Sequence, residues 1–321
     1  MASSLATVGI LSIGEMGLGI AKLLVAHNYR VVTNVSDRSN YTHERARSAS
    51  IDLLSTDEDL ACESDYILSI VPPRDAAATA KRILAAVKNK SRQKDNPLYY
   101  LDLNAISPRS AKSIAALFES SPIRFIDGGI IGGAPTQADP SDQASAWSYR
   151  PSIPASGPHA LQDAPVSGNN LATKLNMKHI APTIGSASGL KMCFASMNKG
   201  FCAIAIQAFT TANTLGVLPE LQSHLKEYSP KTGEQANRGL VGMPPKAYRW
   251  VHEMVEIADT FSEEGGFDKN MFIGASSVYK AVAEDTLLGE EKTSSRKRGR
   301  TVEDVANLMV EGITKKKKKA E

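Results

Sequence analysis

The sequence predicts an α/β chain: a doubly wound parallel sheet through its first half and an all-α domain after it. Three observations predict this. Short apolar runs alternate with helical segments from Thr7 to Asp127. One run, Tyr66-Ile67-Leu68-Ser69-Ile70-Val71, is almost continuously apolar, as strands covered on both faces are. From Ser188 onward strand signals stop, and helical stretches follow one another, broken at Met243-Pro244-Pro245 and Gly265-Gly266.

Taken in order, Thr7 to Leu11 is a short buried strand. Ser12-Ile13-Gly14-Glu15-Met16-Gly17-Leu18-Gly19 is a glycine-rich turn, Ile20 to His27 an apolar-periodic helix, and Arg30 to Val35 a second strand. Strand, turn, helix and strand within about 30 residues is the context of a dinucleotide fingerprint, so the sheet is Rossmann-like. In that frame Gly14 lets the backbone approach a pyrophosphate, Gly17 lets the helix pack on the strand, and the helix N-terminus faces the anion. The first position is Ser12, where glycine would make the tight turn more cheaply.

The end of the second strand selects the cofactor. It reads Asn34-Val35-Ser36-Asp37-Arg38-Ser39. An acidic residue there suits the ribose hydroxyls of NAD, whereas arginine and hydroxyls suit the 2′-phosphate of NADP. Arg38 and Ser39 favour NADP and Asp37 pulls toward NAD; the balance is placed on NADP.

The alternation continues with a helix at Tyr41 to Ala49, a strand at Ile51 to Leu54, a helical turn capped by Thr56, and the Tyr66 strand. A helix then runs to Val87. Strands at Leu98 to Leu103 and Arg124 to Asp127 flank a helix from Pro108 to Phe118. Ligands of such sheets sit outside the carboxyl ends of the strands. That selects Val71-Pro72-Pro73, the stretch from Asp102 through Asn104 to Pro108, and Asp127 to Gly133 as site loops.

Gln137 to Gly168, rich in Pro, Ser, Asp and Ala, reads as a loop insert that contains Trp147 and Tyr149. An extended run, His179 to Ile184, leads into Gly185-Ser186-Ala187-Ser188-Gly189, where Ser186 or Ser188 is expected to cap a long helix. Lys191 then falls in the first turn of a helix that looks buried. Desolvation and the helix dipole both disfavour an ammonium there and move the lysine toward proton-transfer chemistry. A lysine snorkelling from a helix edge is the plainer alternative.

Composition sets the outer limits. The chain has 321 residues, 42% hydrophobic and 22% charged, enough for two globular domains. Residues 286 to 321 hold ten Lys/Arg and six Asp/Glu, which leaves 27 and 28 for the rest. The body is nearly neutral, and the basic character belongs to Arg296-Lys297-Arg298-Gly299-Arg300 and to Lys315 through Lys319, between which Thr301 to Val305 reads as a capped short helix. A nucleic-acid-binding body is not indicated. Three cysteines and six histidines at unpatterned spacings predict neither a disulfide framework nor a metal site. Glu15 and Lys22 interrupt the apolar N-terminus, so neither a signal peptide nor a membrane span is expected.

Together, the glycine turn, Arg38-Ser39, Asp102-x-Asn104-x-x-Ser107-Pro108, the Asp127 to Gly133 loop and Gly185 to Lys191 resemble, in order, the β-hydroxyacid dehydrogenase superfamily. The narrower likeness is to phosphogluconate dehydrogenase-like NADP-binding proteins whose C-terminal domain has no settled function. The resemblance implies that Ser12, Ile13, Gly14, Glu15, Met16 and Gly17 hold the dinucleotide. Asn34, Arg38 and Ser39 form its adenosine-phosphate pocket, and Val71, Pro72, Pro73 and Asn104 flank the nicotinamide. Gly132 and Gly133 present N–H groups to a substrate carboxylate, and Lys191 is the catalytic lysine and a substrate contact. Two departures stand out. Ile131 replaces the serine of the substrate loop, and Phe194 replaces the asparagine that assists the lysine, for which Asn198 or Lys199 could substitute. Asp163-Ala164-Pro165-Val166-Ser167-Gly168 mimics the substrate motif but follows the strand that should carry it.

The expected organisation is a dinucleotide-binding domain over 1–187 with the insert at 137–168, a helical domain over 188–287 and a basic tail over 288–321. The expected function is NADP-dependent hydride transfer to or from a small hydroxyacid-like or oxo substrate, in a site between the domains. The protein is expected to be a cytoplasmic homodimer, with nuclear import through the tail as a further option. Imine reduction on the same scaffold and a non-enzymatic dinucleotide-binding role with the tail as polyanion contact are the alternatives.

Overall fold

A computed structural model describes residues 3–90, 92–139 and 146–320. The chain divides into two compact units, Met1–Lys191 and Met192–Glu321, a boundary four residues beyond the one expected.

The first unit contains β1 (Thr7–Leu11), α1 (Glu15–Ala26), β2 (Arg30–Asn34), α2 (Asn40–Arg47), β3 (Asp52–Leu54), α3 (Asp57–Glu63), β4 (Tyr66–Ser69), α4 (Ala76–Asn89), β5 (Tyr99–Asp102), α5 (Pro108–Phe118) and β6 (Arg124–Gly128). After these come β7 (Thr136–Gln137), β8 (Trp147–Tyr149), β9 (Ile153–Ser156), α6 (Gly168–Lys174) and β10 (Met177–Ala181), and then α7 (Ser186–Ala195), within which the boundary falls. Eight strands form one sheet in the order β10-β9-β6-β5-β4-β1-β2-β3. The pairing is parallel except between β6 and β9, where Asp127 faces Ser156 and Gly128 faces Ala155. The chain leaves β1 in one direction, through α1 to β2, and returns to its other side at β4. This is a topological switch point, where doubly wound sheets bind ligands.

Every residue of β1, β4 and β5 is buried, because helices cover both faces. On one face Ile20 and Leu24 of α1, Ala46 of α2 and Leu171 of α6 join the core. On the other, Leu60, Ile83, Ile114 and Phe118 pack around Tyr100, whose ring centroid lies 5.0 Å from Phe118 and 6.3 Å from Phe125.

Two expectations need correction. The insert over 137–168 is not loop throughout: β9 is a fully buried strand inside the main sheet, and β7 and β8 form a two-stranded hairpin. Pro154 hides β9 from a sequence reading, since proline cannot donate to a ladder. Its carbonyl accepts the Gly129 N–H at 3.1 Å instead. Residues 140–145 of the expected insert lie outside the described residues.

The second unit follows a π-turn, Ser196–Gly200, with α8 (Phe201–Thr214), α9 (Leu218–Tyr228), α10 (Pro230–Gly242), α11 (Ala247–Glu263), α12 (Asn270–Asp285) and α13 (Val302–Ala320). Aromatic rings join α11 to α12, Phe261 to Phe272 at 4.9 Å and Trp250 edge-on to Tyr279 at 5.1 Å. Burial pushes the Cys202 thiol up to about 11, away from reactivity.

The basic tail over 288–321 is the second correction. Val302, Val305, Ala306 and Met309 of α13 are buried, and α13 packs on α8. Arg296 donates to the carbonyls of Val241, Arg298 and Gly299, and Arg298 pairs with Glu291 at 3.3 Å. The charge count concealed an apolar stripe at helical spacing. Lys315 to Lys318 are exposed on the last turns of that helix. Among the described residues no helix is long and apolar enough to cross a membrane.

Candidate active site

Because β1, β2, β4, β5 and β6 run parallel, their carboxyl ends share one edge of the sheet. The glycine turn leaves β1 at that edge. Ser12 adopts φ 79°, the left-handed conformation that glycine would take more easily. A Cβ on Gly17 would lie 2.0 Å from the Ser12 carbonyl oxygen, so only glycine lets α1 close on the turn. A Cβ on Gly14 would meet only the Ser12 hydroxyl, at 3.7 Å. The outer side of the turn at Gly14 is therefore open, and no side chain caps α1. An open turn at an uncapped helix N-terminus fits a dinucleotide pyrophosphate. Ile13 is buried, so any contact of its own with a cofactor is through backbone, and Met16 packs partly buried against the core. Glu15 is exposed on the first turn of α1.

At the end of β2, the Asn34 amide donates to Asp57 at 2.8 Å, and its carbonyl accepts from the Ser36 N–H and hydroxyl at 3.1 and 2.8 Å. Asn34 shapes the loop, while Arg38 projects from it. Arg38 lies 3.3 Å from Asp37, and both side chains are about 60% exposed (58% and 62%). Such a pair is worth little and yields readily to a better anion. Ser39 is the N-cap residue of α2, its hydroxyl 3.3 Å from that of Thr42.

Asn104 is buried and acts as a clamp. Its side-chain oxygen accepts the Val71 N–H at 2.7 Å, its amide donates to Ser69 at 3.0 Å, and its own N–H donates to Asp102 at 3.0 Å. It thereby holds the half-buried Val71-Pro72-Pro73 corner against the end of β5.

The loop after β6 is organised by Asp127. This fully buried carboxylate accepts from the Ser156 hydroxyl at 2.7 Å, the Gly185 N–H at 2.9 Å, the Ser188 N–H at 3.3 Å and the Ser188 hydroxyl at 2.5 Å. The cap of α7 therefore comes from β6, and neither Ser186 nor Ser188 caps it as expected. Four donors satisfy the charge that burial would otherwise penalise. Sequence reading missed this role; an aspartate ending an apolar strand was its one signal. The network holds Lys191 over the loop: a Cβ on Gly129 would lie 2.7 Å from the Lys191 Cβ, and the ammonium donates to the Ile130 carbonyl at 2.5 Å. Lys191 is the sixth residue of α7, in its second turn, so the helix-dipole part of the expectation lapses.

Gly132 and Gly133 close the loop. The Gly133 N–H donates to the Tyr149 hydroxyl at 3.1 Å, a partner that sequence reading did not assign. Asn198 donates to the Phe194 carbonyl one turn back, and Lys199 pairs with Glu253 beneath the Trp250 ring, so both expected stand-ins serve other partners. The look-alike motif lies elsewhere. The Ser167 hydroxyl donates to the Leu5 carbonyl and Val166 accepts from Tyr66, at the amino ends of β1 and β4.

Residues 7–140 match the NAD binding domain of 6-phosphogluconate dehydrogenase, and residues 212–282 match a domain of unknown function, DUF1932. Residues 7–140 thus carry a nicotinamide-dinucleotide-binding domain of the 6-phosphogluconate dehydrogenase type, and the chain has the fold of NAD(P)-dependent dehydrogenases and reductases. An uncharacterised 28.5 kDa protein of Methanothermus fervidus is 25% identical over 224 residues, 70% of this chain and 78% of the relative. The 3-hydroxyisobutyrate dehydrogenase of Mycobacterium tuberculosis shares the fold at 14% identity and TM-score 0.60, over 95% of this chain and 98% of that one. An imine reductase of Myxococcus stipitatus in complex with NAD+ does so at 16% identity and TM-score 0.53, over 96% and 99%.

Proposed function

We propose that this protein is an NADP-dependent oxidoreductase that transfers hydride between the cofactor and a small hydroxyacid-like or oxo substrate, with Lys191 as general acid/base. The observation that carries the reading is the placement of Lys191: a capping network of Asp127, Ser156 and Ser188 fixes it over the loop at the same sheet edge as the open Gly14 turn. When bound, the dinucleotide supplies the hydride acceptor or donor. Gly14 and the first turn of α1 hold its pyrophosphate, and Arg38 and Ser39 meet the 2′-phosphate. Lys191, as the amine, takes the substrate hydroxyl proton at Nζ while the carbon–hydrogen bond breaks; in reduction the ammonium returns that proton to the new alkoxide. Between turnovers the ammonium rests on the Ile130 carbonyl.

The test is a titration with NADPH and NADH followed by turnover assays. NADPH should bind more tightly than NADH, with the preference lost in Arg38→Ala. Lys191→Ala should bind NADPH normally and lose about 10²- to 10⁴-fold in turnover. Normal turnover without Lys191, or no binding of either dinucleotide, would overturn the reading. Imine reduction is the second reading, favoured by Ile131 where the family's loop carries serine. A cyclic imine belongs in the same assay. Against the non-enzymatic reading, Arg296 and Arg298 are committed to partners within the second unit, which leaves Lys315 to Lys318 as the exposed basic run of the tail.

Self-association belongs to the same proposal. Ile204, Ala208 and Thr211 of α8, with Leu215 at its C-cap, form an exposed stripe opposite the buried Cys202, Ile206 and Phe209. They line a groove of about 670 Å³. The stripe is symmetric about its midpoint, so an antiparallel second copy would set Ile204 against Leu215 and Ala208 against Thr211, the self-complementarity a two-fold contact needs. Sedimentation should show a dimer that Ile204→Glu converts to monomer.

A further inference from the structure

We propose that Tyr149 is a substrate-binding residue whose hydroxyl, oriented by Gly133, replaces the loop amide and the missing serine as the donor to the substrate oxygen. The inference rests on the reading above, in which the loop after β6 receives substrate. It deepens that reading by changing which atom makes the contact.

Three observations carry it. The Gly133 N–H donates to the Tyr149 oxygen at 3.1 Å, so this amide is not the group facing an incoming ligand. A hydroxyl that accepts one hydrogen bond still has its own proton to give, and the fixed acceptor direction turns that proton away from Gly133. The tyrosine takes up the amide on one side and offers an O–H on the other.

The loop is shaped for this hydroxyl. Gly132 adopts φ +120°, and a Cβ there would lie 2.1 Å from the Tyr149 oxygen. Backbone conformation and space both demand glycine at that position, and the space is the seat of the hydroxyl.

The surrounding hairpin fixes the backbone that carries the ring. Thr136 pairs with Tyr149, Ala138 donates to the Ala146 carbonyl at 2.9 Å, and the Ser148 hydroxyl donates to the Thr136 carbonyl at 3.2 Å. On the far side, Ile131 and Ser152 exchange backbone hydrogen bonds of 2.8 and 3.0 Å. Tyr149 is thus held from both ends, yet its residue is 43% exposed. An exposed phenol whose hydroxyl is seated on a fixed loop is a preset donor, as a ligand contact requires. In a sequence where Ile131 brings no hydroxyl to this loop, Tyr149 brings one from the hairpin.

The experiment uses the full chain saturated with NADP and a fixed panel of 3-hydroxypropionate, 3-hydroxyisobutyrate, 2-oxopropionate and cyclohexanone, with binding read by calorimetry. Tyr149→Phe keeps the ring and removes only the hydroxyl. At least one panel member should bind the wild type and bind Tyr149→Phe about tenfold more weakly, the loss expected for one hydrogen bond to a polar acceptor. NADPH affinity and melting temperature should not change. For any panel member that turns over, KM should rise while kcat holds, which a merely structural role would not produce. Equal or tighter binding by Tyr149→Phe would overturn the proposal, since Gly133 would then meet the substrate itself. Failure of every panel member to bind the wild type would overturn it as well. These outcomes are separable from failure of the parent reading, which is decided by dinucleotide binding and by Lys191→Ala.

Discussion

Two glycine-rich segments leave the same edge of the sheet, one after β1 and one after β6, and they use their glycines in opposite ways. After β1, the turn closes on itself at Gly17 and stays open outward at Gly14, so the missing side chain there leaves room for something the chain does not supply. After β6, the room is already taken. Lys191 lies over Gly129 and the Tyr149 hydroxyl sits in the hollow at Gly132. The same residue type leaves open space beside one loop and makes a seat for the chain's own side chains in the other. A count of glycines cannot separate these cases. The separation needs the distance from each absent Cβ to its nearest neighbour.

The largest expected effect comes from adding one methyl group to each segment. Gly17→Ala places a carbon 2.0 Å from the Ser12 carbonyl, a backbone atom with nowhere to go. It should destabilise the first unit by about 2–4 kcal/mol and abolish dinucleotide binding, as steric misfits at fixed backbone do. Gly129→Ala meets the Lys191 Cβ at 2.7 Å, an atom on a helix that can shift slightly. It should fold, bind NADPH, and lose turnover by about 100-fold, because an ångström of misplacement at a catalytic group has that cost. Thermal melts and fluorescence titrations of both variants test the contrast. If Gly129→Ala turned over normally, the proposed seat for the lysine would be wrong.

The β1 turn was readable from the sequence because all of its determinants lie within one strand–turn–helix stretch, where periodicity and glycine spacing are local. The β6 loop was only half readable. Its position followed from the alternation of strands and helices, but its organiser did not: Asp127 reaches donors at Gly185 and Ser188, 58 and 61 residues away. Tyr149 was visible as an aromatic in a polar stretch, yet its hairpin lies beside a strand that Pro154 disguises. The second unit shows the same limit. Its helices were legible from breaks and periodicity, and the capped start of α13 at Thr301 to Val305 was too, whereas its length and packing were hidden because lysines and arginines outweighed Val302, Val305 and Met309 in any composition count. Charge described that segment's surface, and its buried stripe decided its fold.

The smallest expected effect sharpens the comparison at Ser12. Ser12 holds φ 79° where the fingerprint carries glycine, and a non-glycine residue in that conformation costs about 1 kcal/mol or more. Replacing it by glycine removes the strain but adds unfolded-state entropy worth roughly half as much. Ser12→Gly should therefore stabilise the protein by about 0.5 kcal/mol, a rise of about 1–2 °C in Tm for a domain of this size. NADPH affinity should hold or improve, since the turn keeps its shape and Gly14 its open side. The informative outcome is the opposite one. If Ser12→Gly bound NADPH markedly more weakly, the serine hydroxyl, which lies 3.7 Å from where a Gly14 Cβ would stand, would be a cofactor ligand in its own right. The departure from the glycine pattern would then be a contact and not a concession.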